Sequence, residues 1–316
     1  MRPAFLILIS VLALPAWGET CQPVDAFTPV VELARDTAGQ PSDLQATAFN
    51  EKIIAKFAPL YEEKVLGIGP GAERDKRIVA SLDKIRSGAV PDGTMGSVLD
   101  LLPEITQVYA KTFSDFRCDF PIYLMDSLGQ LDGAGRLVDG HPSLVIGIET
   151  LASESEPARP VFLAHEFFHR YHFQAAGFSD DAGDSQAMWR VLWAEGLATY
   201  VSMKLTPGAT LSDALILPAD LEERAKPMLP AIATRLKRYL DGPDVETFNL
   251  LFTYGGPQAP VLGLPWRSGY YVGFLVAAEL GKTRTVDQLA HLRGPMLYDL
   301  IGETLGKIAK PGYRLE

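Results

Sequence analysis

The pattern of apolar and polar positions divides the chain into long amphipathic stretches and one short region of different texture. From Gln45 to Lys64 the residues Phe49, Ile53, Ile54, Phe57 and Leu60 recur at helical spacing, which predicts a helix over 45–64 with one apolar stripe. The run Gly67-Ile68-Gly69-Pro70-Gly71 breaks it, and helical text resumes over 77–85 and 97–116. Between Pro121 and Thr150 the period shortens. Pro121-Ile-Tyr-Leu-Met125 and Ser143-Leu-Val-Ile-Gly-Ile148 are rich in branched and aromatic residues and bounded by Gly, Asp and Pro. They predict two strands, with 129–140 as the turn region. Beyond residue 157 helical periodicity returns over 158–176, 186–204, 219–241, 267–280, 284–292 and 296–309. The expected fold class is α+β, mainly helical with a small sheet beside the 158–176 helix.

The first residues follow another logic. Met1-Arg2 precedes an apolar run from Ala4 to Pro15, broken only by Ser10, that ends in Ala16-Trp17-Gly18. A bilayer span needs about 20 apolar residues, so this run is short for one. Small residues at the −3 and −1 positions of a cut before Glu19 make it a secretory signal peptide, with an uncleaved anchor as the alternative. The expected organisation is a signal peptide over 1–18, an N-terminal helical region over 19–118 and a catalytic region over 119–316. The expected localisation is export to the periplasm or beyond, with no integral membrane segment after cleavage.

Composition narrows the function. Acidic side chains outnumber basic ones by 39 to 29, a net charge of −10, and no Lys/Arg cluster offers a phosphate-binding face, so nucleic acid is not an expected partner. The hydrophobic share of 47% excludes a disordered chain. Two cysteines, Cys21 and Cys118, predict one disulfide in an oxidising compartment. They cannot build a structural zinc site by themselves, so any metal must be held by His and carboxylates.

Those residue types concentrate in two segments. Val161-Phe-Leu-Ala-His165-Glu166-Phe-Phe-His169-Arg-Tyr-His172-Phe contains HExxH in text that is apolar on nearly every side. Positions i and i+4 share a helix face, so His165 and His169 can present two imidazole nitrogens to one ion. Glu166 lies about 100° around the helix, placed to act on a water rather than on the metal. Burying a Glu and two His in such a helix costs several kcal/mol unless something compensates, and a metal compensates. The alternative is two core histidines bonded to backbone and a Glu in a buried ion pair. A catalytic zinc needs a third protein ligand and an open position. Met188-Trp-Arg-Val-Leu-Trp-Ala-Glu195-Gly196-Leu-Ala-Thr-Tyr200 supplies the candidate, because Glu195 is the only acidic residue between Asp184 and Asp213. Gly196 beside it would let two helices approach closely. The alternative role for Glu195 is to accept a hydrogen bond from a ligating histidine.

HEFFH followed by WAEGLATY resembles the gluzincin pattern, in which HExxH gives two histidines and a downstream helix gives a glutamate. The spacing between His169 and Glu195 and the later Arg267-Ser-Gly-Tyr270-Tyr271-Val-Gly273 resemble a bacterial group of predicted zinc-dependent proteases with undefined substrates, over roughly 140–280. The resemblance implies a zincin-like metallopeptidase with one zinc on His165, His169 and Glu195, Glu166 as general base, and a peptide or protein substrate. Tyr270 and Tyr271 enter through it as oxyanion donors, with Arg267 one turn away as another; the alternative for the tyrosines is core packing. The chain departs from the thermolysin-like pattern at Thr199, where an Asp would orient a zinc histidine. That partner must then come from elsewhere or be a backbone carbonyl. His172 shares the His165 face but sits further along the axis, which suits a surface residue or a group behind the ligands; His141 belongs to a turn, and His291 carries no partner motif. The strand 143–149, as an exposed edge, would pair with an extended substrate. Competing expectations are a catalytically inactive zincin-fold binding or envelope module, and a zinc hydrolase acting on a non-peptide bond.

Overall fold

A computed structural model describes residues 21–153, 156, 158–177, 187–216, 218–242, 244–253 and 263–315; the expected signal peptide lies outside them. The described chain is mostly helical around a four-stranded mixed sheet. The order is β1 (Pro23–Asp25), α1 (Thr28–Asp36), α2 (Ser42–Phe49), α3 (Glu63–Leu66), α4 (Ala72–Arg86) and α5 (Thr94–Thr112). Then come β2 (Ile122–Met125), β3 (Gly133–Val138), β4 (His141–Gly147), α6 (Ile148–Leu151), α7 (Ala158–Ala176) and α8 (Met188–Leu205). The C-terminal part holds α9 (Leu211–Leu215), α10 (Leu221–Ala225), α11 (Leu229–Arg238), α12 (Val245–Phe252), α13 (Ser268–Gly281), α14 (Val286–Ala290) and α15 (Gly294–Ile308).

The sheet order is β1-β2-β4-β3, with the first three strands parallel and β3 antiparallel to β4. Strand β4 is therefore central, and the edge nearest α7 is β3, which corrects the expectation that 143–149 forms an exposed edge. The same region corrects the reading of 129–140 as one turn. Only Asp139 and Gly140, both with positive φ, make the bend, with Val138 facing His141 across it. Two successive left-handed residues are what a two-residue hairpin needs, and Asp-Gly supplies them. His141 is thus the first residue of β4 rather than part of a loop.

Both faces of the sheet are covered, which is why β2 and β4 read as continuous apolar runs. Ile122, Leu124, Leu144 and Ile146 join the main core with α5, α7, α8 and α13. Met125, Val145 and Val138 face the other way, onto α1, α2 and α4. The residues before and after position 118 pack closely on each other. Tyr109 of α5 donates to the carbonyl of Ala164 in α7 at 2.5 Å, its ring lies 5.2 Å from Phe167, and Phe113 lies 4.4 Å from Tyr171. Cys21 and Cys118 stand at disulfide distance, their Cα atoms 5.1 Å apart, pinning the start of β1 beside β2.

Two predicted helices are broken. The 45–64 stretch becomes α2, a wide turn over Asn50–Ile54 and a tight turn over Ala58–Tyr61, because Pro59 removes a backbone donor. The 219–241 stretch splits into α10, a tight turn over Lys226–Met228 and α11, with Pro227 and Pro230 at the two restarts.

Candidate metal centre

Helices α7 and α8 pack side by side and bring three donor atoms together. His165 Nε2 and His169 Nε2, one turn apart on α7, are 2.9 Å from each other. Glu195 Oε2, reaching from α8, is 3.4 Å from the first and 3.3 Å from the second. A tetrahedral ion with ligands about 2.1 Å away has donor–donor edges of about 3.4 Å. Two of the three edges match that value and the third is slightly short. These residues form a group able to hold a metal ion. The imidazoles are buried, while the Glu195 side chain keeps 24% of its surface exposed, so the cluster opens to solvent on one side.

The charges of the three residues act on one another. Burial alone would raise the pKa of Glu195, yet the charge of His169 and hydrogen bonds from both imidazoles hold it well below the carboxylate range. Burial lowers His165 more than its bond to Glu195 raises it; at His169 the opposition of burial and Glu195 ends in a raised value. Glu166, adjacent on α7, is pushed up to about 8 by burial, with Asp132 and Glu195 acting in the same direction and His169 and Arg136 against it. A carboxyl group so poised can both accept and release a proton near neutral pH. The outer support differs from expectation. Nδ1 of His165 and Nδ1 of His169 are buried without a hydrogen-bond partner, and Thr199 spends its hydroxyl on the Glu195 carbonyl at 2.8 Å.

Helix α13 closes the other wall. A Cβ added at Gly273 would lie 2.6 Å from the Leu192 carbonyl oxygen and 2.7 Å from the Gly196 Cα, so the crossing of α8 and α13 tolerates only glycine at both positions. The close approach expected at Gly196 is present. It sets the N-terminal turn of α13 over the cluster. Tyr270 faces inward: burial first, and then the charge of Glu195, raise its pKa, with Glu166 and Asp132 also contributing. Arg267 caps α13 with φ 61°, a strained left-handed conformation for a residue with a side chain. Its guanidinium lies 4.1 Å over the Tyr270 ring, and its charge is felt at His165. Tyr271 is not brought to the cluster. It lines a separate cavity of about 520 Å³ with Glu222, Leu229, Phe274 and Tyr313, and its hydroxyl is pushed up to about 12 by burial and by Glu222.

His172 is fully buried rather than on the surface. It stacks on Phe168 at 5.0 Å, and burial, reinforced by His169, pushes it down to about 3. His291 has partners that its sequence context did not announce: Nε2 lies 3.0 Å from Asp115 Oδ2, and Nδ1 lies 2.7 Å from the Asp287 carbonyl oxygen. Sequence reasoning also missed Gly133. A Cβ there would fall 2.6 Å from Cδ of Glu166, so β3 runs against the candidate base. The Asp139-Gly140 pair was the available signal for that strand. No family model, curated protein or solved structure matches the chain.

Proposed function

We propose that this chain is an exported zinc metallopeptidase of gluzincin type, with zinc held by His165, His169 and Glu195. The observation that carries the reading is the convergence of those three donors from two helices, with an exposed side and with Glu166 next to them but outside the set. Two imidazoles and one carboxylate suit a borderline-soft divalent ion in a catalytic rather than a structural site. When bound, zinc supplies a Lewis acid that activates water and polarises a carbonyl.

The chain's own residues then have defined tasks. Glu166 takes the proton of the attacking water and hands it to the leaving amine. Its raised pKa, set mainly by burial, keeps that return step favourable. Tyr270, half-buried on the opposite wall, is the oxyanion donor we favour, with Arg267 holding its ring and adding positive charge. A peptide is favoured over another substrate because β3 pairs on one side only, leaving an edge beside Glu166 that an extended backbone can join. The disulfide-distance cysteine pair supports an oxidising compartment, and no described helix is long and apolar enough to cross a membrane.

The test compares the mature wild-type chain with Glu166→Gln on a mixed peptide library. We expect cleavage by the wild type and a loss of about 10³-fold in kcat/KM for the variant, with metal content unchanged. Metal binding without Glu166-dependent cleavage would identify a binding module instead, and hydrolysis confined to non-peptide esters or amides would move the activity to another bond.

A further inference from the structure

We propose that Asp132 is a specificity-determining residue that selects substrates carrying a cationic group beside the scissile bond; this rests on the peptidase reading above. Asp132 is held rigidly. Its carbonyl accepts from the Gly147 amide at 2.9 Å, and the preceding Leu131 carbonyl packs on the Gly147 Cα so closely that no side chain fits there. The end of β4 therefore fixes the backbone of 131–132. The next residue, Gly133, opens the edge strand β3 and touches the Glu166 side chain, where an added Cβ would lie 3.0 Å from Oε2. The Asp132 carboxylate folds over that same point, its Oδ1 3.2 Å from the Gly133 amide. It is thus held at the junction of the edge strand and the candidate base, and its charge reaches both Glu166 on α7 and Tyr270 on α13.

Nothing in the described fold neutralises it. Apart from the Gly133 amide, Asp132 has no hydrogen bond and no ion pair among the described residues. The two nearby guanidiniums have other work: Arg136 donates to the carbonyls of Val65 and Gly135 at 3.2 and 2.9 Å, and Arg267 covers the Tyr270 ring. Asp132 caps no helix. A half-buried carboxylate beside the candidate base, without a countercharge among the described residues, is complementary to an ammonium or guanidinium arriving with the substrate. That group is either a Lys or Arg side chain next to the scissile bond or a free N-terminal amine; the chemistry is shared and the sources are separable.

The experiment measures kcat/KM for the zinc-loaded mature chain on matched peptides that place Lys, Arg, Gln or Glu on either side of the cleaved bond, each with a free or acetylated N-terminus. We expect wild type to prefer the cationic member of a matched pair by about tenfold or more. Preference that survives acetylation assigns a side chain, and preference abolished by acetylation assigns the terminal amine. Asp132→Asn should bring the cationic-to-neutral ratio near one, and Asp132→Lys should turn it toward Glu-bearing peptides. Zinc content and circular dichroism verify that the variants fold. A residue acting only on the basicity of Glu166 would change all peptides alike and leave the ratio untouched. An unchanged ratio in Asp132→Asn, or equal cleavage of charged and neutral peptides by wild type, overturns the inference while leaving the peptidase intact. Cleavage of no peptide at all overturns both.

Discussion

Two places in this molecule bury carboxylates, and they solve the cost in opposite ways. At the carboxyl ends of β2 and β4, Asp126 and Glu149 are fully buried, and donors of the adjoining loop and of α4 satisfy them. Glu149 accepts from the amides of Ser127 and Gly129 at 3.0 and 2.9 Å and from the hydroxyls of Ser127 and Thr150. Asp126 accepts from the Leu128 amide at 2.9 Å and from Ser81 at 2.6 Å. At the α7–α8 crossing, Glu195 meets only two imidazole nitrogens, which also face each other. The first network is complete within the fold, whereas the second turns three donor atoms toward one point and leaves the Nδ1 atoms of both imidazoles buried without a partner.

The contrast can be broken experimentally. The largest effect is expected at the α7–α8 cluster: His169→Ala should abolish stoichiometric metal binding and, with it, peptide cleavage, both read by metal analysis and a peptide assay. Because the two imidazoles and Glu195 pair with one another, the metal-free chain should fold with little change in its circular dichroism spectrum. Glu149→Ala should do the reverse. It strands the buried Ser127 amide and removes the acceptor shared by the Gly129 amide and the Ser127 and Thr150 hydroxyls, at a cost of about 2 kcal/mol in denaturant unfolding, while the α7–α8 cluster stays intact.

A smaller effect separates the two acids by pH. Burial, and then the charge of Glu149, push Asp126 from the ordinary carboxylate range up to about 8. The folded state therefore keeps a proton that the unfolded chain releases above its ordinary carboxylate pKa. The associated stability is fully present below that pKa and is lost as pH rises through about 8. Melting temperature should fall as pH rises from the ordinary carboxylate range to about 8 and level off above it in a Glu166→Gln background, which removes the other raised carboxyl group, and Asp126→Asn should flatten the decline. A decline that persists in Asp126→Asn would mean that another group holds the proton.

The two regions also differ in how much of them could be read from residues alone. His165, Glu166, His169 and Glu195 were legible because they lie on long periodic helices, and α7 spans the expected 158–176. Spacing along a helix is geometry, so four positions become one turn. The acidic loop and Asp132 were not legible, because their surroundings arise from a hairpin whose strand, Gly133-Ala-Gly-Arg-Leu-Val138, carries two glycines and little apolar alternation. Strand β1 is three residues long and exists only because β2 offers it an edge. Tyr270 and Tyr271 are adjacent in sequence, and only the packing of α13 on α8 at Gly273 decides which one faces the His165–His169–Glu195 cluster. The broken helix over 219–241 could have been anticipated from its two prolines.

The central claim is that His165, His169 and Glu195 act together as the ligands of one zinc ion. Calorimetric titration of the metal-free mature chain with zinc tests it most directly. The predicted result is one saturable site per chain in wild type and in Glu166→Gln, and loss of that site in Glu195→Ala. Absence of a saturable site in wild type, or a site of undiminished affinity in Glu195→Ala, would contradict it.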